Sequence, residues 1–195
     1  LAIGQAPQSS DIPPTAVCVL IRTMGRVTLV EAVRSALAQT WPHVRVKVVV
    51  ASGQPLPALA GELLDPRVEI IDGGQCLPRA AAANRALEAA DAELALFLDD
   101  DDWLLAEHVA RLVQALHAHP EAVAAHAGVE CRMVSSSKTL KVHAFDSDIT
   151  AAGMQLMNRL PIHASLFRVA AVRQMPALRF NESLECFEDW DFWLQ

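Results

Sequence analysis

Two stretches of the chain concentrate side chains able to do chemistry. Asp99-Asp100-Asp101-Asp102 sets four carboxylates in succession directly after the apolar run Leu94 to Leu98, and Glu185-Cys186-Phe187-Glu188-Asp189-Trp190-Asp191-Phe192-Trp193 interleaves acids with large aromatics. Adjacent carboxylates repel one another, and a hard divalent cation relieves that cost. Oxygen-only ligands favour Mg²⁺ or Mn²⁺, with water and substrate phosphates completing the coordination. An Asp-x-Asp at a strand end therefore suits a nucleotide diphosphate with its metal. The same run also fits a solvated loop that opens a helix, where Asp is favoured. In the second cluster the aromatics place some carboxylates beside apolar surface, where desolvation raises a carboxyl pKa as a general base requires. A helix start with an aromatic core stripe fits those residues equally well.

Either chemistry needs framework elements to hold the acids, and the chain reads as alternating strands and helices. Val17 to Ile21 is a continuous apolar, β-branched run of the kind buried on both faces of a parallel sheet. Apolar positions 29, 30, 33, 36 and 37 then recur at helical spacing, with Thr28 placed to cap the start and Trp41-Pro42 to end the segment. Strand Val44 to Val50, a short helix near Pro57 to Leu64 and strand Val68 to Ile71 continue the pattern. An alanine-rich helix from about Arg79 to Ala90 leads to strand Leu94 to Leu98, so the four aspartates stand at a carboxyl end, where open α/β sheets bind ligands. Beyond it the expectation is a helix from Leu105 to His117, one strand from Val123 to Met133, a turn at Ser135-Ser136-Ser137-Lys138 and a strand from Ala164 to Val169. Residues 1 to 15, broken by Pro7, Pro13 and Pro14, read as a linker or disordered lead-in to one domain spanning 16 to 195.

The composition narrows the class. Of 195 residues 52% are hydrophobic and 20% charged, enough to bury a single core. The net charge of -7, from 16 basic against 23 acidic residues, argues against a nucleic-acid footprint. Nine of those acids lie in the clusters Asp99 to Asp102 and Glu182, Glu185, Glu188, Asp189 and Asp191, so the surplus is expected to converge on one metal and one base. Cys18, Cys76, Cys131 and Cys186 are widely separated and are expected to be reduced and buried. His117-x-His119 lacks further metal ligands at suitable spacing and reads as a solvated helix end. No apolar run reaches the ~20 residues of a membrane helix. No signal peptide is expected, and a start at Leu1 suggests a piece of a longer chain.

Four motifs in order resemble the family 2 glycosyltransferases: Val17 to Ile21 with Arg22-Thr23-Met24-Gly25-Arg26, Ser35 to Pro42, Ala83-Asn84 ahead of Leu98 to Trp103, and Glu188-Asp189-Trp190-Asp191. The resemblance implies an α/β GT-A fold, with a Rossmann-related, mostly parallel central sheet flanked by helices. It implies an inverting, metal-dependent enzyme that moves a sugar from a nucleotide-diphosphate donor, a UDP-sugar being expected, to an acceptor hydroxyl. By the same resemblance the donor nucleotide lies against Arg22, Thr23, Met24, Arg79, Asp99 and Asp100. Mn²⁺ or Mg²⁺ lies on Asp101 with Asp99, while Asp102 supports the loop. Asp189 is the base with Glu188 as its neighbour, and His163 lines the site or is a satisfied core histidine. Relatives carry an aromatic at Met24, acids where Ala51-Ser52-Gly53 stands, and an arginine at Ala83, whose space Arg79 or Arg85 is expected to reach. The acceptor pocket of relatives is completed after the Glu-Asp pair, so the domain is expected to continue past Gln195. A cytoplasmic location, with membrane association only through parts outside the chain, is the matching expectation. A silent nucleotide-sugar-binding module and a nucleotidyltransferase, which would release pyrophosphate, are the alternatives.

Overall fold

The computed structural model describes residues 15–56, 61–134, 139–145 and 149–195. Its centre is a six-stranded sheet in the order β3-β2-β1-β4-β8-β5. Strands β1 (Val17–Thr23), β2 (Val44–Val50), β3 (Val68–Asp72) and β4 (Leu94–Asp99) run parallel, while β8 (Ser165–Arg168) pairs antiparallel with both β4 and β5 (Ala124–His126). The continuous apolar runs behave as their composition requires, because β1 is buried along its whole length and β4 along all but its last residue.

Side-chain alternation divides the core in two. Val17, Val19, Ile21, Val46, Leu96 and Leu98 face helices α1 (Leu29–Leu37) and α3 (His108–Ala118). Cys18, Leu20, Ala95 and Phe97 face α2 (Arg79–Ala89) and the C-terminal segment. On that second face Phe97 meets Phe180 edge-on at 5.2 Å, and Phe180 stacks on Phe192 of α6 (Glu188–Leu194) at 4.3 Å. Helix α2 presents Ala80, Ala82, Ala83 and Ala86, all buried, so it lies close against β1 and β2.

The chain moves outward from β1 to β2 and β3, then returns to β4 on the other side of β1. The carboxyl ends of β1 and β4 therefore flank the crevice where the strand order reverses. Their register sets Arg22 opposite Asp99.

Several expectations need correction. The stretch 123 to 133, expected as one strand, is two: β5 stays in the main sheet, whereas β6 (Val129–Val134) pairs with β7 (Thr139–Phe145) in a separate hairpin. The break falls at Ala127, whose N–H leaves the run to bond Ala164 O at 3.0 Å. Thr28 does not cap α1 with its side chain; its backbone is already helical and its buried hydroxyl has no partner. Only Cys18 is buried, and Cys76, Cys131 and Cys186 are exposed. His119 is exposed as expected, but His117 is half-buried, bonds Thr15 at 3.0 Å and meets Trp41 edge-on. Of the short helix near Pro57 to Leu64, residues 61–64 form a 3₁₀ turn and residues 57–60 lie outside the described residues, as do 1–14 of the lead-in and the turn at Ser135 to Lys138. Helices α4 (Ala151–Leu156) and α5 (Val169–Arg173) complete the fold. Among the described residues no helix is long and apolar enough to cross a membrane.

The close seat of α2 is directly testable. Ala83→Leu adds three carbons where no space remains and should destabilise the protein by about 1–3 kcal/mol, measured by urea unfolding.

Candidate functional site

Arg22, the penultimate residue of β1, is 7% exposed and joins three elements. Its Nε donates to Asp99 Oδ1 at 2.8 Å, at the end of β4, and its Nη1 donates to Glu188 Oε1 at 2.8 Å, at the start of α6. Arg79, opening α2, reaches the same Glu188 oxygen at 3.0 Å and lies 3.8 Å from Asp99. Burial opposes the charge on Arg22, but Asp99 and Glu188 outweigh it and raise its pKa. Burial likewise works to raise the Asp99 carboxyl, yet the charge and hydrogen bonds of Arg22, helped by Arg79, hold it below the ordinary carboxylate range.

The four aspartates diverge in role. Asp100 is buried and turned inward: it accepts from Thr23 Oγ1 at 2.6 Å and Met24 N at 3.2 Å, fixing the turn after β1. Arg26 spans Asp100 at 3.2 Å and Asp101 at 2.6 Å. Asp102 lies 3.1 Å from Nδ1 of the largely buried His163. Carboxylate oxygens of Asp99, Asp101 and Asp102 lie within 4.8 Å of one another, an all-oxygen set that fits a hard divalent cation. Arginines thus supply much of the countercharge that the sequence assigns to a metal alone.

Two cavities meet at this loop. The first, about 180 Å³, is lined by Arg22, Thr23, Met24, Arg79, Asp99 and Asp100, together with Asp101 and Arg26. The second, about 590 Å³, lies under the β6–β7 hairpin and is lined by Asp101, Asp102, Trp103, His108, Arg132 and His163 among others. Asp101 is on the wall of both. Glu188 and Asp189 are on the wall of neither. Glu188 is buried behind Arg22 and Arg79, so guanidinium groups meet its carboxylate where aromatic surface was expected. Asp189 is half-buried, accepting from Asn158 Nδ2 at 3.2 Å and from the N–H of Trp190 at 2.8 Å. The remaining acids of the second cluster do not converge: Glu182 accepts from Asn84, Asp191 accepts from Gln195, and Glu185 is exposed.

A profile of glycosyl transferase family 2 matches residues 18–175. The chain belongs to glycosyl transferase family 2. The match ends ahead of Glu188 and Asp189. The architecture is that of the GT-A glycosyltransferases. S. aureus TarS 1-349, solved with UDP-GlcNAc, superposes with a TM-score of 0.63 at 18% identity, over 91% of this chain and 52% of that one. Mannosyltransferase PcManGT from Pyrobaculum calidifontis, solved with GDP-Man and Mn²⁺, superposes with a TM-score of 0.58 at 16% identity, over 91% and 52%. At those identities the likeness is one of fold. The chain spans about half the length of these structures. A search of curated proteins returns no match.

The rim beyond β2 is built from backbone. Ala51-Ser52-Gly53 forms it, with Leu77 N bonded to Ala51 O at 2.9 Å and Ser52 bridged to Cys76. Gly53 has φ +68°, and a Cβ there would stand 2.7 Å from Cys76 N, so backbone closes this edge and no larger residue fits. Of the two arginines expected near Ala83, Arg79 lines the first cavity, while Arg85 is exposed and its guanidinium lies near Gly73.

Three residues that build the loops here have no role assigned to them in the sequence. Asn84 holds the approach to α6 through Phe180 N and O, both at 2.9 Å. Arg26 and Asn84 stand in the matched motifs without a stated role. Asn158 carried no signal, since its partner is 31 positions away.

Two measurements probe the network. Glu188→Ala leaves Arg22 buried with one carboxylate fewer and should cost about 3–5 kcal/mol, read by urea unfolding. Because the folded Asp99 pKa lies below the unfolded value of about 3.9, Asp99 contributes stability above that value and loses it as the pH falls through the folded one. Unfolding free energy should therefore fall with acidification below about pH 4, and Asp99→Asn should flatten that slope.

Proposed function

We propose that this chain is the donor-binding part of an inverting, metal-dependent glycosyltransferase. The observation that carries this is the crevice between β1 and β4, where three carboxylates with oxygens within 4.8 Å of one another adjoin a cavity lined by Arg22 and Arg79. In this reading the nucleotide of a nucleotide-diphosphate sugar, UDP being the expected one, lies against Arg22, Thr23, Met24, Asp99 and Asp100. Arg79, 63% exposed, turns its guanidinium toward the diphosphate.

Asp99, Asp101 and Asp102 would hold Mn²⁺ or Mg²⁺, which when bound supplies positive charge to offset that gathering on the departing diphosphate. The glycosyl group extends past Asp101 toward the second cavity, with His163 on its wall. Asp189 takes the proton of the acceptor hydroxyl onto a carboxylate oxygen. The acceptor oxygen bonds to the anomeric carbon as the bond to the diphosphate oxygen breaks, and the electron pair leaves with the diphosphate. Attack opposite the leaving group inverts the centre, so an α-linked donor gives a β-linked product. Glu188 holds Arg22 and Arg79 in place.

One observation favours a second reading, a module that binds donor without metal or catalysis: Arg26 already occupies Asp101. Calorimetry separates the two. Nucleotide sugars including UDP-GlcNAc and GDP-Man should release heat on binding in the presence of Mn²⁺, and Asp101→Ala should lose that dependence. Asp189→Asn should abolish transfer while leaving donor binding intact. An Asn variant as active as the native protein removes Asp189 from the role of base, and the absence of heat with every donor removes the transferase reading.

A further inference from the structure

Asp189 is held by a device that neither the acidic run nor the aromatic stripe accounts for. Helix α6 is fastened to α4 and the segment after it at three points: Trp190 Nε1 donates to Met154 O at 2.6 Å, Trp193 Nε1 donates to Leu160 O at 3.0 Å, and between these two carbonyls along the chain Asn158 Nδ2 donates to Asp189 Oδ2 at 3.2 Å. The Asn158 amide cannot turn over without loss, because its Oδ1 accepts the N–H of Leu160 at 3.1 Å. Its NH₂ end is therefore the end that meets Asp189. The other Asp189 oxygen, Oδ1, accepts the N–H of Trp190 at 2.8 Å. Each carboxylate oxygen thus has one fixed donor, which sets the plane of the group and leaves a further lone pair on each oxygen to accept a proton.

We infer that Asn158 is a positioning residue for the Asp189 base, an assignment that rests on the transferase reading above. A base is effective only when its accepting lone pair has a defined direction, and a misplacement of about 1 Å costs on the order of a hundredfold in rate. Asn158 supplies that direction through an amide whose own orientation the backbone locks. The two tryptophan bonds on either side keep the segment seated while the amide acts.

Two substitutions separate positioning from mere loop support. Asn158→Asp keeps the size of the side chain and the acceptor for Leu160 N–H, but turns a carboxylate oxygen toward Asp189. Asn158→Ala removes both bonds. The experiment is steady-state kinetics with a donor and acceptor that the native protein turns over, with donor binding by calorimetry and thermal unfolding recorded for each variant. Positioning predicts kcat lower by roughly tenfold to a hundredfold in both variants, donor KM and calorimetric affinity within about twofold of native, and the Asp variant at least as impaired as the Ala variant. If Asn158→Asp turns over like the native protein and only Asn158→Ala is slowed, Asn158 serves the loop and the assignment is overturned. Parallel loss of kcat and of donor affinity in both variants overturns it as well. A native protein that turns over no nucleotide sugar overturns the transferase reading itself, and this role with it.

Discussion

The guanidinium of Arg22 is the interaction on which the site depends. It lies at the end of the central strand, 7% exposed, between Asp99 on β4 and Glu188 on α6. A buried charge is tolerated only when paired and hydrogen-bonded, and here each partner comes from a different part of the chain. The pairing with Asp99 follows from the β1–β4 register, which the alternation of core residues sets. The pairing with Glu188 docks α6 against the sheet, and the Phe97, Phe180 and Phe192 rings fill the space beneath it.

That arrangement changes how the acidic run is understood. Four consecutive aspartates look like a single site of repulsion awaiting a metal, but backbone geometry sends their side chains to different partners. Asp99 is neutralised from behind by Arg22, Asp100 is buried on Thr23 and the N–H of Met24, Asp101 meets Arg26, and Asp102 meets His163. The exposed pair of Arg26 with Asp101 is screened by solvent and weak. The Arg22 pairs are far less exposed to solvent. Each of the four acids therefore has a protein partner, while Asp99, Asp101 and Asp102 keep the spacing that fits a cation.

Much of this was legible in the sequence because local patterns and tertiary packing agree. Uninterrupted apolar runs marked β1 and β4 within one or two residues, β2 forms over the Val44 to Val50 expected, and the alanine-rich stretch from Arg79 is a helix. The residues expected around the nucleotide, Arg22, Thr23, Met24, Arg79, Asp99 and Asp100, do line one cavity. What was not legible depends on partners far along the chain. The stretch from Val123 to Met133 has no turn signal strong enough to divide it, and it divides because Ala127 finds Ala164. Thr28 has the chemistry of a cap but a helical backbone. Asn84 and Asn158 are ordinary polar residues until Phe180 and Asp189 are brought to them.

The bond from Arg22 to Glu188 closes a loop of 166 positions, and this bears on how the molecule is made. Chains emerge from the ribosome N-terminus first, and contacts between distant segments carry the largest closure entropy and form late. The parallel strands β1 to β4 can pair while the segment that carries Phe180 and α6 is still being synthesised. In that interval Arg22 has Asp99 but not Glu188, and the Phe97 face of the sheet has not yet received Phe180 and Phe192. The electrostatic centre of the crevice is thus completed by a helix translated well after β1 to β4, so a nascent chain that has not yet reached α6 holds the four aspartates and these strands but not the assembled site.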